Sequence, residues 1–164
     1  WLIIVIAFLL AALLLSYLQS RRKKRNLDLD FEEQEETGPK LPAHITALQK
    51  LEILREKRLW ETGEVKEYQS KLTYVIREYL ENRFEIQGLE STTSEIVSAL
   101  ENKDFDQSQN ESLTRILQVA DLVKFAKAKP TDSMHAEFLD EAFQFVEDTK
   151  QEIKEENQGE DGFE

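Results

Sequence analysis

Two histidines, 33 carboxylates and no cysteine are what this chain has for metal binding, acid–base work or nucleophilic attack. A zinc site of the His-Glu-x-x-His type needs two histidines one helical turn apart. His44 and His135 lie far apart in sequence and do not meet that spacing. A di-iron bundle needs paired Glu-x-x-His motifs, and the nearest approach is a single Asp132-x-x-His135, which reads as a helix cap beside a surface imidazole. Asp104, Asp106, Ser108 and Asn110 alternate as calcium ligands do, but a calcium loop places Gly sixth and Glu twelfth. Counted from Asp104, those positions hold Gln109 and Arg115. The five glycines are scattered, so no phosphate-cradling loop is formed. Without cysteine there is no disulfide, thiolate nucleophile or thiolate-held metal. No residue is assigned as catalytic, cofactor-binding or metal-binding, and the chain reads as a non-enzyme.

One polar group stands out against its surroundings. Within Ile116–Ala126 only Gln118, Asp121 and Lys124 interrupt an apolar stretch. Thr114, Gln118 and Asp121 follow at helical steps, which describes a narrow solvated strip with an Asp121–Lys124 pair at i,i+3. The alternative is a partly buried Asp121 paired with a base of another helix, Arg77 or Arg83.

The elements that must position these residues are all helical by their hydrophobic period. A first helix covers about Ala43–Trp60, with Ile45, Leu48, Leu51, Leu54 and Leu59 on one broad side, and Gly63 breaks it. The second, about Glu64–Phe84, has the cleanest stripe: Val65, Tyr68, Leu72, Val75, Ile76, Tyr79, Leu80 and Phe84. A short third helix opens on a Thr92-x-x-Glu95 capping box, and polar residues 102–112 form a loop. The fourth, about Glu111–Ala128, is apolar on most sides, which marks a central helix packed all round. Pro130 ends it, and a fifth begins with Asp132 or Ser133 as its cap and buries Met134, Phe138, Ala142, Phe145 and Val146. No run alternates with period two for long enough to make a strand.

Ahead of this bundle, Trp1–Leu18 is apolar apart from Ser16 and Tyr17. At 1.5 Å per residue it extends about 27 Å, close to the hydrocarbon thickness of a bilayer. No charge precedes it and Arg21, Arg22, Lys23, Lys24 and Arg25 follow it, an order opposite to that of a signal peptide. The basic cluster suits anionic lipid headgroups and places residues 21–164 in the cytoplasm, beneath the plasma (inner) membrane. The chain opens on Trp1 flush with this run and is expected to continue on the outer side.

The expected architecture is therefore all-α: a transmembrane helix (1–18), a basic juxtamembrane segment and acidic flexible linker (19–42), a bundle of four or five helices (43–150) and an acidic disordered tail (151–164). The whole chain carries a net charge of −12 although residues 21–25 are all positive. So acidic a body repels phosphate backbones, and nucleic acid is excluded as a partner.

Leu59-Trp60, Gly63–Tyr68 (GEVKEY), Ile76–Phe84 (IREYLENRF), Leu89–Ile96 (LESTTSEI) and above all Ala120–Pro130 (ADLVKFAKAKP) carry a resemblance. Over about residues 45–148, with the membrane helix before them, the chain resembles the cytoplasmic tail region of BatD-like single-pass membrane proteins. These belong with the Bat (aerotolerance) operon of Bacteroidetes-type bacteria, and the region is a domain of unknown function. The resemblance implies a MoxR-type AAA+ ATPase and membrane proteins with von Willebrand factor A domains as neighbours, and brings no catalytic residue or cofactor.

The expected role is a membrane-anchored cytoplasmic protein-interaction module, docking components of a Bat/MoxR-type membrane complex. The alternative is the cytoplasmic end of a sensor or transport component relaying a signal from an outer domain, which needs a rigid linker that Pro39 and Pro42 oppose. With the fourth helix committed to the core, the partner surface is sought elsewhere. Ile53 and Trp60 lie off the stripe of the first helix and are the partner-binding candidates. Trp60 is either an interface anchor or the side chain that closes the bundle beside Gly63.

Overall fold

Capping chemistry sets where the helices begin and end. The computed structural model describes residues 41–151, and among these lie five helices and no strand. They are α1 (Ala43–Lys57), α2 (Val65–Phe84), α3 (Thr93–Glu101), α4 (Gln107–Ala126) and α5 (Asp132–Asp148). The expected Thr92–Glu95 capping box starts α3: Thr92 Oγ1 accepts from the Glu95 amide at 3.3 Å, and the Glu95 carboxylate takes the Thr92 amide at 2.7 Å. The Thr92 amide and the Thr92 hydroxyl, which donates to the same carboxylate at 2.8 Å, favour the ionised carboxyl, so Glu95 titrates below its ordinary value.

The same device recurs at Asp106 and Gln109, and it starts α4 at Gln107 rather than near Glu111. The alternating polar residues at 104–110 are thus a helix entry. Thr131, not Asp132 or Ser133, caps α5, accepting from the Met134 amide at 3.4 Å. Helices α1, α2 and α4 end on residues in the left-handed region, Arg58, Glu85 and Lys127, none of them glycine. After α2 and α4 the reversed chain returns an amide to the helix, Ile86 N–H to Leu80 O and Ala128 N–H to Leu122 O. The first helix stops at Lys57 and leaves Trp60 in a turn that Gly63 closes at φ +82.

Helix α2, not α4, is the central element. It packs on α1, α4 and α5, and from Tyr68 to Leu80 only Ser70, Tyr74 and Arg77 escape full burial. Its stripe of Tyr68, Leu72, Val75, Ile76, Tyr79 and Leu80 is buried as the period requires. The other sides are covered too, because Gln69, Lys71, Thr73 and Glu78 also lie inside. Helix α4 buries Leu113, Ile116, Leu117, Ala120 and Val123, while Leu122 and Phe125 face out. Its all-round apolarity therefore does not mark a packed centre.

Helix α1 is rotated from the expected setting. Its inward side is His44, Ala47, Leu51 and Leu54, with Ile45 and Leu48 only half-buried at its flanks. Aromatic edge-to-face contacts close the far end of the bundle, where Phe84, Phe105, Tyr79 and Phe145 meet at centroid distances of 4.8–6.0 Å. No helix among the described residues is long and apolar enough to cross a membrane. The expected span Trp1–Leu18, the basic Arg21–Arg25 and most of the linker and tail lie outside the described residues.

Candidate functional site

Several polar groupings sit inside the bundle on α2, among them Lys71 against Glu67 at 3.5 Å, and two of them join α2 to other helices. At the α1–α2 contact the Lys50 ammonium grips both oxygens of Glu78, at 2.9 and 2.7 Å. The side chains are 4 % and 9 % exposed, and the Tyr74 hydroxyl donates to the same carboxylate at 3.2 Å. A buried carboxylate held by a cation and a phenol satisfies the rule that charges leave water only when paired.

The second grouping joins α2 to the first turn of α5. Tyr68 donates its hydroxyl to the His135 carbonyl at 2.6 Å, and Gln69 Nε2 lies 3.1 Å from His135 Nδ1. His135 is therefore buried, at 1 % exposure, and not the surface imidazole expected. Burial lowers its pKa, against a smaller opposing pull from Asp132. Burial likewise raises the Tyr68 phenol well above its ordinary value, so both groups are held neutral. The Trp60 ring stands edge-on to Tyr68 at 4.7 Å and tilted to His135 at 6.4 Å. Tyr68 and His135 are wholly buried and serve packing and hydrogen bonding here. The other histidine, His44, is also buried, with its Nδ1 unpartnered.

Sequence singled out Asp121, Lys124 and Arg77. Asp121 and Lys124 are half-buried on α4, and the Asp121 charge reaches the Arg77 guanidinium, raising its pKa against the larger lowering by burial. The guanidinium's hydrogen bonds go elsewhere: to Gly88 O at 3.0 Å, Ser91 O at 2.6 Å and Thr93 Oγ1 at 3.0 Å. Arg77 thus holds the α2–α3 connection down. Gly88 belongs to the same contact, since a Cβ there would stand 2.2 Å from Arg77 O. Of the two partner-binding candidates, Ile53 is half-buried on α1 and Trp60 is half-buried against the core.

What sequence reasoning missed is an exposed apolar face on α4. Leu122 is 53 % exposed and Phe125 83 %. Beside them a groove of about 420 Å³ runs between α3 and α4, floored by Val97, Leu100, Val119 and Leu122. Glu101 and Glu111 flank the short connection between α3 and α4, and both line the groove at that end. Phe125, and after it Lys127 and Lys129, lie at the opposite end. Arg115, also in the groove wall, bridges to Glu137 at 2.8 Å and to Glu141, tying α4 to α5. Among the described residues no three His, Asp or Glu side chains are grouped to hold a metal ion. No protein-family model, curated protein or solved structure gives a significant match to this chain.

Proposed function

We propose that this chain is a membrane-anchored, non-catalytic protein-interaction module whose docking face is the α3–α4 surface. The observation that carries the reading is Phe125, left 83 % exposed beside a half-exposed Leu122 and an apolar groove. Fully burying a phenylalanine ring contributes about 1.5–3 kcal/mol, and interfaces concentrate their energy in a few such side chains. Clustered apolar surface of this kind on a small domain marks a place where another molecule sits. The resemblance to Bat-operon tails supplies the expected company, a MoxR-type ATPase or membrane proteins with von Willebrand factor A domains. The apolar run before residue 19 and the basic cluster after it support an inner-membrane anchor with the bundle in the cytoplasm. This face is preferred to Trp60 as the docking site, because the Trp60 ring is engaged by Tyr68.

The test is photo-crosslinking in native membranes, with a benzophenone side chain at position 125 and, as a control, at Lys66 on the exposed start of α2. A discrete protein adduct at 125 and none at 66 is expected. No protein adduct at 125, or the same pattern from both positions, would refute the reading.

A further inference from the structure

The α3–α4 face carries both a protruding ring and a groove suited to receive one. Phe125 projects at the C-terminal end of α4, and the groove extends back along the same helix past Val119 and Thr114. The charge on this face is polarised. Glu101 and Glu111 line one end, beside an Arg115 whose charge is taken up by Glu137 and Glu141, and Lys127 and Lys129, both exposed, follow Phe125 at the other. A neighbour lying parallel along α4 would set like charges together at both ends. An antiparallel neighbour of the same sequence brings the lysines of each copy to the glutamates of the other. Self-complementarity of this kind is what a two-fold interface requires.

Resting on the docking face proposed above, and naming its occupant, we propose that this face is an interface between two copies of this chain. The two α4 helices pair antiparallel about a two-fold axis level with the exposed turn from Gln118 to Leu122. Phe125 of each copy then lies about 7 Å along the helix from the axis and faces the groove of the other beside Arg115 and Gln118. Lys127 and Lys129 reach the neighbour's Glu111 and Glu101. The occupant is a second copy rather than a lipid surface because the acidic end of the face would be pressed against anionic headgroups.

The chain has no cysteine, so a single introduced thiol reports one position. In native membranes, full-length Leu122→Cys treated with a short bis-maleimide should give an adduct of twice the chain's mass, and Lys66→Cys should not. Glu101→Lys with Glu111→Lys should lower the yield about five-fold, as expected for several rim ion pairs lost together. Lys127→Glu with Lys129→Glu should do the same, and all four changes combined should restore it. A double-mass adduct indifferent to these reversals would overturn the antiparallel pairing. Adducts at Leu122→Cys of another mass only would overturn self-pairing and leave the docking face standing. Lipid adducts alone would overturn both.

Discussion

Replacing Lys50 by Met removes the cation from a carboxylate that has little water to turn to. Glu78 is 9 % exposed, and both its oxygens lie within 2.9 Å of the ammonium. Breaking a buried pair by deleting one partner typically costs ~3–5 kcal/mol, because the remaining charge stays buried without its counter-ion. The Tyr74 hydroxyl, at 3.2 Å, remains as a donor and offsets part of that loss. A domain of this size has a total stability of ~5–15 kcal/mol, so the change should lower the melting temperature by more than about 10 °C. The double variant Lys50→Met with Glu78→Leu removes both charges and should recover to within about 1–2 kcal/mol of the parent. Urea melts of residues 42–156, with all four members of the cycle, measure the coupling directly. If Lys50→Met costs less than about 1 kcal/mol, or the double variant is no better than the sum of the singles, the pair is not the dry contact described.

Residues 42–156 alone should give a helical circular-dichroism spectrum and a cooperative melt, with Leu72→Ala costing ~2–5 kcal/mol because that side chain is wholly buried; appreciable strand signal or a broad melt would contradict the fold. Gly88→Ala should destabilise by ~1–3 kcal/mol in a urea titration, since the new methyl meets the Arg77 carbonyl and not a flexible side chain. An unchanged midpoint would place the α2–α3 connection differently. Burial depresses the His135 pKa, so its stability contribution is complete above the unfolded value of about 6.5 and is lost as pH falls below it. Melts at pH 7.5 and 5.5 should therefore differ for the parent and differ less for His135→Gln, and equal slopes would remove His135 as the cause. Trp60→Ala should lower stability by roughly 1–3 kcal/mol, through the lost contact with Tyr68; an unchanged melt would return Trp60 to the surface.

The all-helical class and the five elements could be read from the sequence because they rest on local chemistry. The α2 stripe at steps of three and four, Gly63 and the Thr92–Glu95 box each act within a few residues of one another. What could not be read depends on partners far along the chain. Glu78 and Lys50 are 28 residues apart, and Gln69 and His135 are 66 apart. Each alone looks like a solvent-facing residue, and only pairing makes its burial tolerable. Hence α2, carrying Gln69, Lys71, Thr73 and Glu78, read as one-sided while it is buried nearly all round. The opposite error befell α4. Leucine and phenylalanine at 122 and 125 imply burial by type, yet nothing in a single chain's period says whether the cover comes from that chain or from another molecule.

Tension reaching the bundle from residues before Leu41 must load α1 first, along its length and across its contacts with α2 and α5. Apolar surfaces under shear can slide a short way and stay covered. The two-oxygen grip of Lys50 on Glu78 cannot, since a displacement of one side-chain length separates two charges with little water at hand to receive them. Helix α1 is thereby fastened to α2 in the manner of a latch.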